Sequence, residues 1–377
     1  MSIIIFVSIL LLLCYITLLL YYRSAWINLP QFTLDKNYQP STSISIIIAA
    51  RNEEANIKSL LQDILSQYYP TRLMEIIVID DHSTDKTAQI VQEFRGVRLL
   101  KMQDVTQGKS INSYKKKAIE YGVSQASNEL IITTDADCNM HAYWLLSIVS
   151  FYEIYHPQFI AAPVMFHPIL NWFYRFQAID FMTMQGITGA VVYNKIGSMC
   201  NGANLAYTKS AFNAVNGFQG IDEIASGDDM LLMNKIEKSF PGQTKFFKCD
   251  EAIVSTQAMP NFIAFINQRI RWASKSAHFK DRNIKLVLLL VFVFNLSLLL
   301  LGFAAFFKWT NFATFLFLFF SKTLFEYYFL FQLMKFFKQK FSLIQFIVLQ
   351  PLHVLYILIS GSLGQKGTFT WKGRKVK

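Results

Sequence analysis

The sequence has little charge and little cysteine. Only 16% of its 377 residues are Asp, Glu, Lys or Arg, while 53% are hydrophobic. The four cysteines, Cys14, Cys138, Cys200 and Cys249, have no paired spacing. That excludes a disulfide framework and a zinc site of the usual Cys-x-x-Cys kind, and leaves reduced thiols in a cytoplasmic domain. No nucleic-acid motif accompanies the net charge of +11, and the basic residues are scattered, so nucleic acid is not among the expected partners. A full phosphate-loop pattern is also missing.

The apolar content is concentrated at the two ends. Ser2 to Tyr22 is an uncharged run long enough to span hydrocarbon. It lacks a basic segment before it and a small-residue cleavage site after it, so it reads as a retained anchor. Arg23 follows at once and favours a cytoplasmic downstream side. A second apolar block supplies three further spans: Leu286 to Phe307, Asn311 to Phe331, and Phe341 to Ser360 with a kink at Pro351. Lys322 and Glu326 stand four apart in the second of these, where they can pair or line a bundle. Four full crossings would place the basic tail (Lys366, Lys372, Arg374, Lys375, Lys377) outside, against the positive-inside rule. One C-terminal segment is therefore expected to be re-entrant or interfacial. The chain divides into an anchor at 1–23, a soluble domain at 37–282, membrane helices at 285–361 and a basic tail at 362–377.

Between the membrane blocks, apolar strands alternate with helical spacing. Strands are expected at Ser43–Ala49, Glu75–Ile79, Val97–Met102 and Leu130–Thr134. Helices are expected at Glu53–Gln67, Thr84–Phe94 and Lys109–Tyr121. Continuous apolar strands separated by amphipathic helices predict an α/β domain with a mainly parallel, Rossmann-like sheet. Ligands of such sheets bind beyond the carboxyl ends of the strands. Three of the four strands end in polar chemistry there: Ala50-Arg51-Asn52-Glu53, Asp80-Asp81, and Asp135-Ala136-Asp137.

Asp135 and Asp137 need a turn just after Asp135 to bring both carboxylates to one site, because a strand alternates its faces. Together they suit Mg²⁺ or Mn²⁺, which take carboxylate and phosphate oxygens; turn or capping aspartates are the plainer alternative. Asp81 suits a base or ribose hydroxyl, with Ser83 to Asp85 capping the following helix. In Gln107-Gly108-Lys109 the lysine can meet a phosphate. Lys115, Lys116 and Lys117 read as a solvated face or a membrane-surface contact. Asn201-Gly202-Ala203-Asn204 either lets backbone approach a sugar or forms a plain turn. In Gly227-Asp228-Asp229, Asp228 can cap a helix and Asp229 can act as a general base, with capping open for either. Gln268-Arg269-Ile270-Arg271-Trp272 offers Arg271 to phosphate charge and Trp272 to a sugar ring, or serves as a basic-aromatic interface anchor.

In this order the motifs resemble glycosyltransferase family 2, specifically its membrane-integrated members with a GT-A catalytic domain. The resemblance runs from about residue 43 to 275. Gln268 to Trp272 matches the Gln-x-x-Arg-Trp signature of polysaccharide synthases and ceramide glucosyltransferases. Thr370 to Arg374 looks like the ending of carotenoid or hopanoid glycosyltransferases. The resemblance implies a nucleotide-sugar donor, most commonly a uridine diphosphate sugar, a divalent metal, and a membrane lipid or glycan acceptor. It carries donor contact onto Ala50, Arg51, Glu53, Asp81, Lys109, Asp135, Asn201 and Asp228, and metal contact onto Asp135 and Asp137. Asp229 becomes the base, with Gln268, Arg271 and Trp272 completing the catalytic set. The family's usual Glu-Asp pair is Asp228-Asp229 here, which shortens the first side chain.

Overall fold

The structure, a computed structural model, describes residues 3–106, 113–224, 226–274, 282–364, 369–371 and 374–376. Along the chain run α1 (Ile3–Asn28), β1 (Ile44–Ala50), α2 (Ile57–Leu65), β2 (Met74–Asp80), α3 (Thr87–Gln92), β3 (Val97–Lys101), α4 (Gln103–Thr106), α5 (Tyr114–Gln125) and β4 (Leu130–Asp135). Next come β5 (Asn139–Met140), α6 (Trp144–Tyr155), β6 (Phe159–Ala161), β7 (Val164–Phe166), α7 (Trp172–Tyr193), β8 (Leu205–Thr208) and α8 (Lys209–Ala214). The remainder is α9 (Met230–Ser239), β9 (Thr244–Phe246), β10 (Val254–Thr256), α10 (Phe262–Ser274), α11 (Arg282–Ala304), α12 (Trp309–Phe336) and α13 (Leu343–Gly364), with short strands at Phe369–Trp371 and Arg374–Val376.

Residues 29–171 and 191–258 form a sheet unit. Its seven strands lie in the order β3-β2-β1-β4-β8-β6-β9. The first four are parallel, with Ile44 opposite both Met74 and Leu130. β8 runs antiparallel to β4 and β6, and β9 is parallel to β6. The sheet is therefore mixed, parallel where the long apolar strands are. Ile46, Ile47, Ile48, Ile77, Val78, Ile131 and Ile132 are all buried, each such side chain being worth about 1.5–3 kcal/mol. α5 lies close on this core: a Cβ on Gly122 would meet Ile47 Cγ2 and Ile79 Cδ1 at 2.7 Å. A second sheet has the order β5-β10-β7, with β10 antiparallel to β5 and parallel to β7.

Two expected helices are shorter than their periodicity. α2 starts at Ile57 because the Glu53 carbonyl first closes a turn onto the Asn56 and Ile57 amides. α3 starts at Thr87 because Ser83 and Asp85 also bond to the loop after β1; Asp85 Oδ1 still accepts from the Thr87 amide at 3.0 Å, as expected of a residue capping this helix. α5 begins at Tyr114, and the start of its expected range, with Lys109, lies outside the described residues.

The other unit gathers residues 1–28, 172–190 and 259–369. Four of its helices, α1, α11, α12 and α13, are long and apolar enough to cross a membrane. Pro351 sits inside α13 without ending it. Lys322 and Glu326 pair at 2.8 Å and are buried. Lys322 also donates to Gln350 Oε1 at 2.7 Å, and Glu326 accepts from the Tyr15 hydroxyl and from Gln350 Nε2. The pair lines the helix bundle, as charge at such depth must when lipid is the alternative. The Arg23 guanidinium lies 3.8 Å from the Tyr328 ring centroid.

Candidate active site

The ends of β1 and β2 are tied together. The Asp81 amide donates to the Ala50 carbonyl at 2.8 Å, and Ala50 lies opposite Asp80 in the ladder. Arg51 Nη1 donates to the carbonyls of Asp81 and His82 at 2.8 and 2.9 Å. Asn52 and His82 both take the left-handed conformation, with φ of 52° and 56°. Asn52 accepts from the Thr84 amide, while its own amide donates to Ser83 Oγ. Glu53 is buried; its amide donates to Thr87 Oγ1 at 2.7 Å and its carboxylate accepts from Asn56. Arg51 and Glu53 are thus built into the loops' architecture. Asp81 is buried beside His82, with Oδ1 3.0 Å from the ring Nδ1.

β4 ends on Asp135, which stands next to β1 at the Ala49 level. A turn follows at once: the Cys138 amide donates back to the Asp135 carbonyl at 3.3 Å. This is the turn that the Asp-x-Asp spacing requires. Burial, and then the charges of Asp137 and Asp135, push the Cys138 thiol well above its ordinary value. It is an inert neighbour of the site.

Lys115 corrects the sequence reading most sharply. It is not on a solvated face. Its ammonium lies 2.6 Å from Asp135 Oδ1 and 3.1 Å from Asp228 Oδ2, joining the Asp-x-Asp turn to the Gly-Asp-Asp segment. Burial disfavours the charge, but Asp135 and Asp228 outweigh it and hold the ammonium protonated well above the ordinary lysine range. Lys116 is also buried, donating to the carbonyls of Ile221, Ile224 and Ser226 and so anchoring the segment that leads to Asp228. Only Lys117 fits the solvated reading, paired with Glu120 at 2.7 Å.

Asp229, rather than Asp228, is the N-cap of α9: its Oδ1 accepts from the Met230 amide at 2.7 Å. Its Oδ2 accepts from the Gly202 amide at 3.3 Å. A Cβ on Gly202 would lie 3.2 Å from both Asp228 Oδ2 and Lys115 Nζ. Glycine here lets the backbone reach the carboxylates. Asn201 Oδ1 accepts from the Ala203 amide, so Asn201 shapes this turn. Asn204 is buried and pins it, accepting from Trp144 Nε1 and donating to the carbonyls of Pro163 and Ala252. Tyr207 on β8 also went unread in the sequence: its hydroxyl is buried with no hydrogen-bond partner among the described residues. Burial, then the Asp228 charge, raises its pKa.

Asp135, Asp228, Asp229, Lys115 and Gly202 therefore share one cluster. No group of three acidic, histidine or cysteine side chains among the described residues converges as a ready metal cage. The oxygen-only pair Asp135 and Asp137 instead fits a hard cation that keeps waters and takes substrate phosphates. Because Lys115 already neutralises Asp135, Asp137 is the carboxylate suited to be the main ligand.

Gln268, Arg271 and Trp272 lie on α10 of the helical unit, each half-buried. Trp272 packs on Phe181 with ring centroids 5.8 Å apart, and Gln268 Oε1 accepts from Arg269 at 2.7 Å.

A family model described as Glycosyl transferase family 2 matches residues 45–215, from β1 through α8. Over that stretch, which holds the parallel strands and the Asp-x-Asp turn, the chain is similar to glycosyltransferase family 2. The chain is also similar to several curated proteins. The beta-monoglucosyldiacylglycerol synthase of Synechocystis sp. is 27% identical over 253 residues, covering 65% of this chain and 50% of that protein. The 4,4'-diaponeurosporenoate glycosyltransferase of Staphylococcus aureus is 30% identical over 157 residues, covering 41% and 40%. The chain spans about half the length of the curated relatives it matches. A mannosyltransferase from Pyrobaculum calidifontis, solved in complex with GDP-Man and Mn2+, superposes with a TM-score of 0.56 at 16% identity, covering 97% of this chain and 99% of that one. That likeness is one of fold: a GT-A-like mixed sheet with long apolar helices.

Proposed function

We propose that the protein transfers a sugar from a nucleotide-diphosphate sugar to a membrane lipid or lipid-linked acceptor, with inversion at the anomeric carbon. The observation that carries this reading is the Lys115 bridge, which holds the Asp-x-Asp turn and the Gly-Asp-Asp segment in one cluster. Asp81 receives the nucleoside, and uridine diphosphate is the carrier that the family resemblance supplies. Lys109 meets a donor phosphate. Asp137, with Asp135, holds Mg²⁺ or Mn²⁺, which when bound offsets charge on the leaving diphosphate. Asp229 takes the proton of the acceptor hydroxyl as that oxygen attacks the anomeric carbon and the diphosphate departs. Gln268, Arg271 and Trp272 supply phosphate contact and an apolar wall. The lipid acceptor is supported by the four candidate spans and by the names of two relatives. Arg23, directly after the uncharged run of α1, supports a cytoplasmic side for the sheet unit.

The test is a panel of nucleotide sugars with Mn²⁺ or Mg²⁺, with and without membrane lipid extract, scored by free nucleotide diphosphate. One donor should respond, release should rise with lipid, and Asp229→Asn should bind that donor yet lose about 10²–10⁴-fold in rate. A ladder of products would replace this reading with polymer synthesis. No release from any donor would favour a non-catalytic membrane scaffold.

A further inference from the structure

Arg269 lies inside the Gln-x-x-Arg-Trp segment, yet nothing above gives it a task. It is among the driest charges in the helical unit: the side chains of Arg269 and Asp180 are 4% and 5% exposed, with Nη2 2.6 Å from Asp180 Oδ2. Asp180 is on α7. Its other oxygen, Oδ1, accepts from the Tyr356 hydroxyl on α13. Arg269 Nη1 donates to Gln268, and the guanidinium lies 4.2 Å from the Trp272 ring centroid and 4.6 Å from that of Phe265. Phe181, next to Asp180, packs on the other partner of this contact, Trp272. Phe173, Phe176, Phe265 and Tyr356 form the apolar cluster around it.

Such a pair is a poor way to gain stability. Two desolvated charges recover little more than an apolar pair of the same volume would. What an arginine–carboxylate pair does supply is direction, because the planar guanidinium fixes the angle of whatever stacks on it. Here Trp272 stacks on it and Gln268 bonds to it. Tyr356, from a candidate membrane span, fixes the carboxylate in turn.

We propose that Asp180 and Tyr356 are positioning residues for sugar transfer: they aim Arg269, which holds Trp272 and Gln268 in the orientation that the acceptor requires. The chain of contacts makes α13 part of the setting of the motif. This inference rests on the transferase reading above.

The test uses the full-length protein in detergent and compares wild type with Tyr356→Phe, Asp180→Asn and Asp180→Glu. Tyr356→Phe removes one hydroxyl and is chosen to keep the fold. Three quantities are measured: diphosphate release with the active donor and membrane lipid extract, donor affinity, and the emission of Trp272 taken as the difference from the same protein carrying Trp272→Phe. Asp180→Asn should lower turnover about tenfold, and Tyr356→Phe severalfold, with donor affinity unchanged within about twofold. Both should shift the Trp272 emission, and Asp180→Glu should recover more turnover than Asp180→Asn. Unchanged Trp272 emission in folded Tyr356→Phe and Asp180→Asn would overturn the proposal, as would a fall in thermal midpoint with turnover and emission intact. The emission readout needs no turnover, so it judges the positioning even if no donor is used, which is the separate failure of the transferase reading.

Discussion

The two units each contain a lysine between acceptors, and the two sites are built differently. In the sheet unit, Lys115, Asp135 and Asp228 keep 23%, 34% and 13% of their side-chain surface exposed. Nearby Tyr207 keeps a buried hydroxyl without a hydrogen-bond partner among the described residues. In the helical unit, Lys322 is fully enclosed and Glu326 is 7% exposed, and Tyr15, Gln350 and His353 close around them. An open cluster at strand ends can exchange a partner for a ligand. A closed one inside a bundle has its bonds satisfied already and holds helices in register. Burial alone would rank the helical cluster as the more interesting; accessibility and incomplete satisfaction rank the sheet cluster first.

Breaking the closed cluster should cost the most. Lys322→Met leaves Glu326 buried without its cation, and the thermal midpoint in detergent should fall by the equivalent of about 3–5 kcal/mol. Lys322→Met combined with Glu326→Gln should recover most of that loss, because neither charge is then stranded. If the double variant is as unstable as the single one, the cluster is more than a register device. In the open cluster the order reverses, with little stability lost and much activity. Asp137→Asn should reduce sugar transfer by a few kcal/mol of transition-state stabilisation, about 10²-fold, with a midpoint near that of wild type. Partial rescue by raised Mn²⁺ would identify the metal as the cause. Lys115→Met should cost about tenfold in donor affinity and raise the metal requirement, since Asp135 and Asp228 then repel each other. A Lys115→Met protein that binds donor like wild type would make the bridge purely structural.

The smallest effect belongs to a site away from both. Glu153 accepts from Tyr38, from the amides of Ser41 and Thr42, and from both of their hydroxyls. Burial opposes its charge, but the hydroxyls of Thr42 and Tyr38 and the two amides prevail and hold the carboxyl down at about 2, against 4.5 when free. A depressed carboxyl stabilises the fold above its free value and loses that contribution as pH falls from 4.5 toward 2. Solvent screening leaves about 1–2 kcal/mol of it. Acid titration of the unfolding midpoint should show this slope in wild type and lack it in Glu153→Gln.

The parallel half of the sheet was legible because β1, β2 and β4 are buried on both faces and carry unbroken apolar runs. β6, β8 and β9 were not, since strands of three or four residues show no period. The spans were readable from hydropathy, with ends shifted by a few residues where polar groups still fit the helix. The polar residues at the strand ends were found because loop aspartates stand out between apolar runs. Lys115 and Lys116 were missed because a lysine run suggests solvent. The signal against it was geometric: three consecutive helical residues sweep about 200°, so they cannot all face outward from a helix packed on a sheet. Asp180 and Arg269 were unreadable as a pair because 89 positions separate them and neither sits in a periodic pattern.

The bond between Tyr15 and Glu326 closes a loop of 311 positions. At about 10 residues per second, the ribosome finishes α1 roughly half a minute before α12 emerges. Through that interval α1 would sit in the bilayer with the Tyr15 hydroxyl unanswered. The anchor is thus held at first by hydrophobicity alone, and it acquires its place in the bundle only when the C-terminal helices arrive. A ribosome stalled before α12 would leave α1 without the carboxylate that its Tyr15 hydroxyl meets in the finished protein.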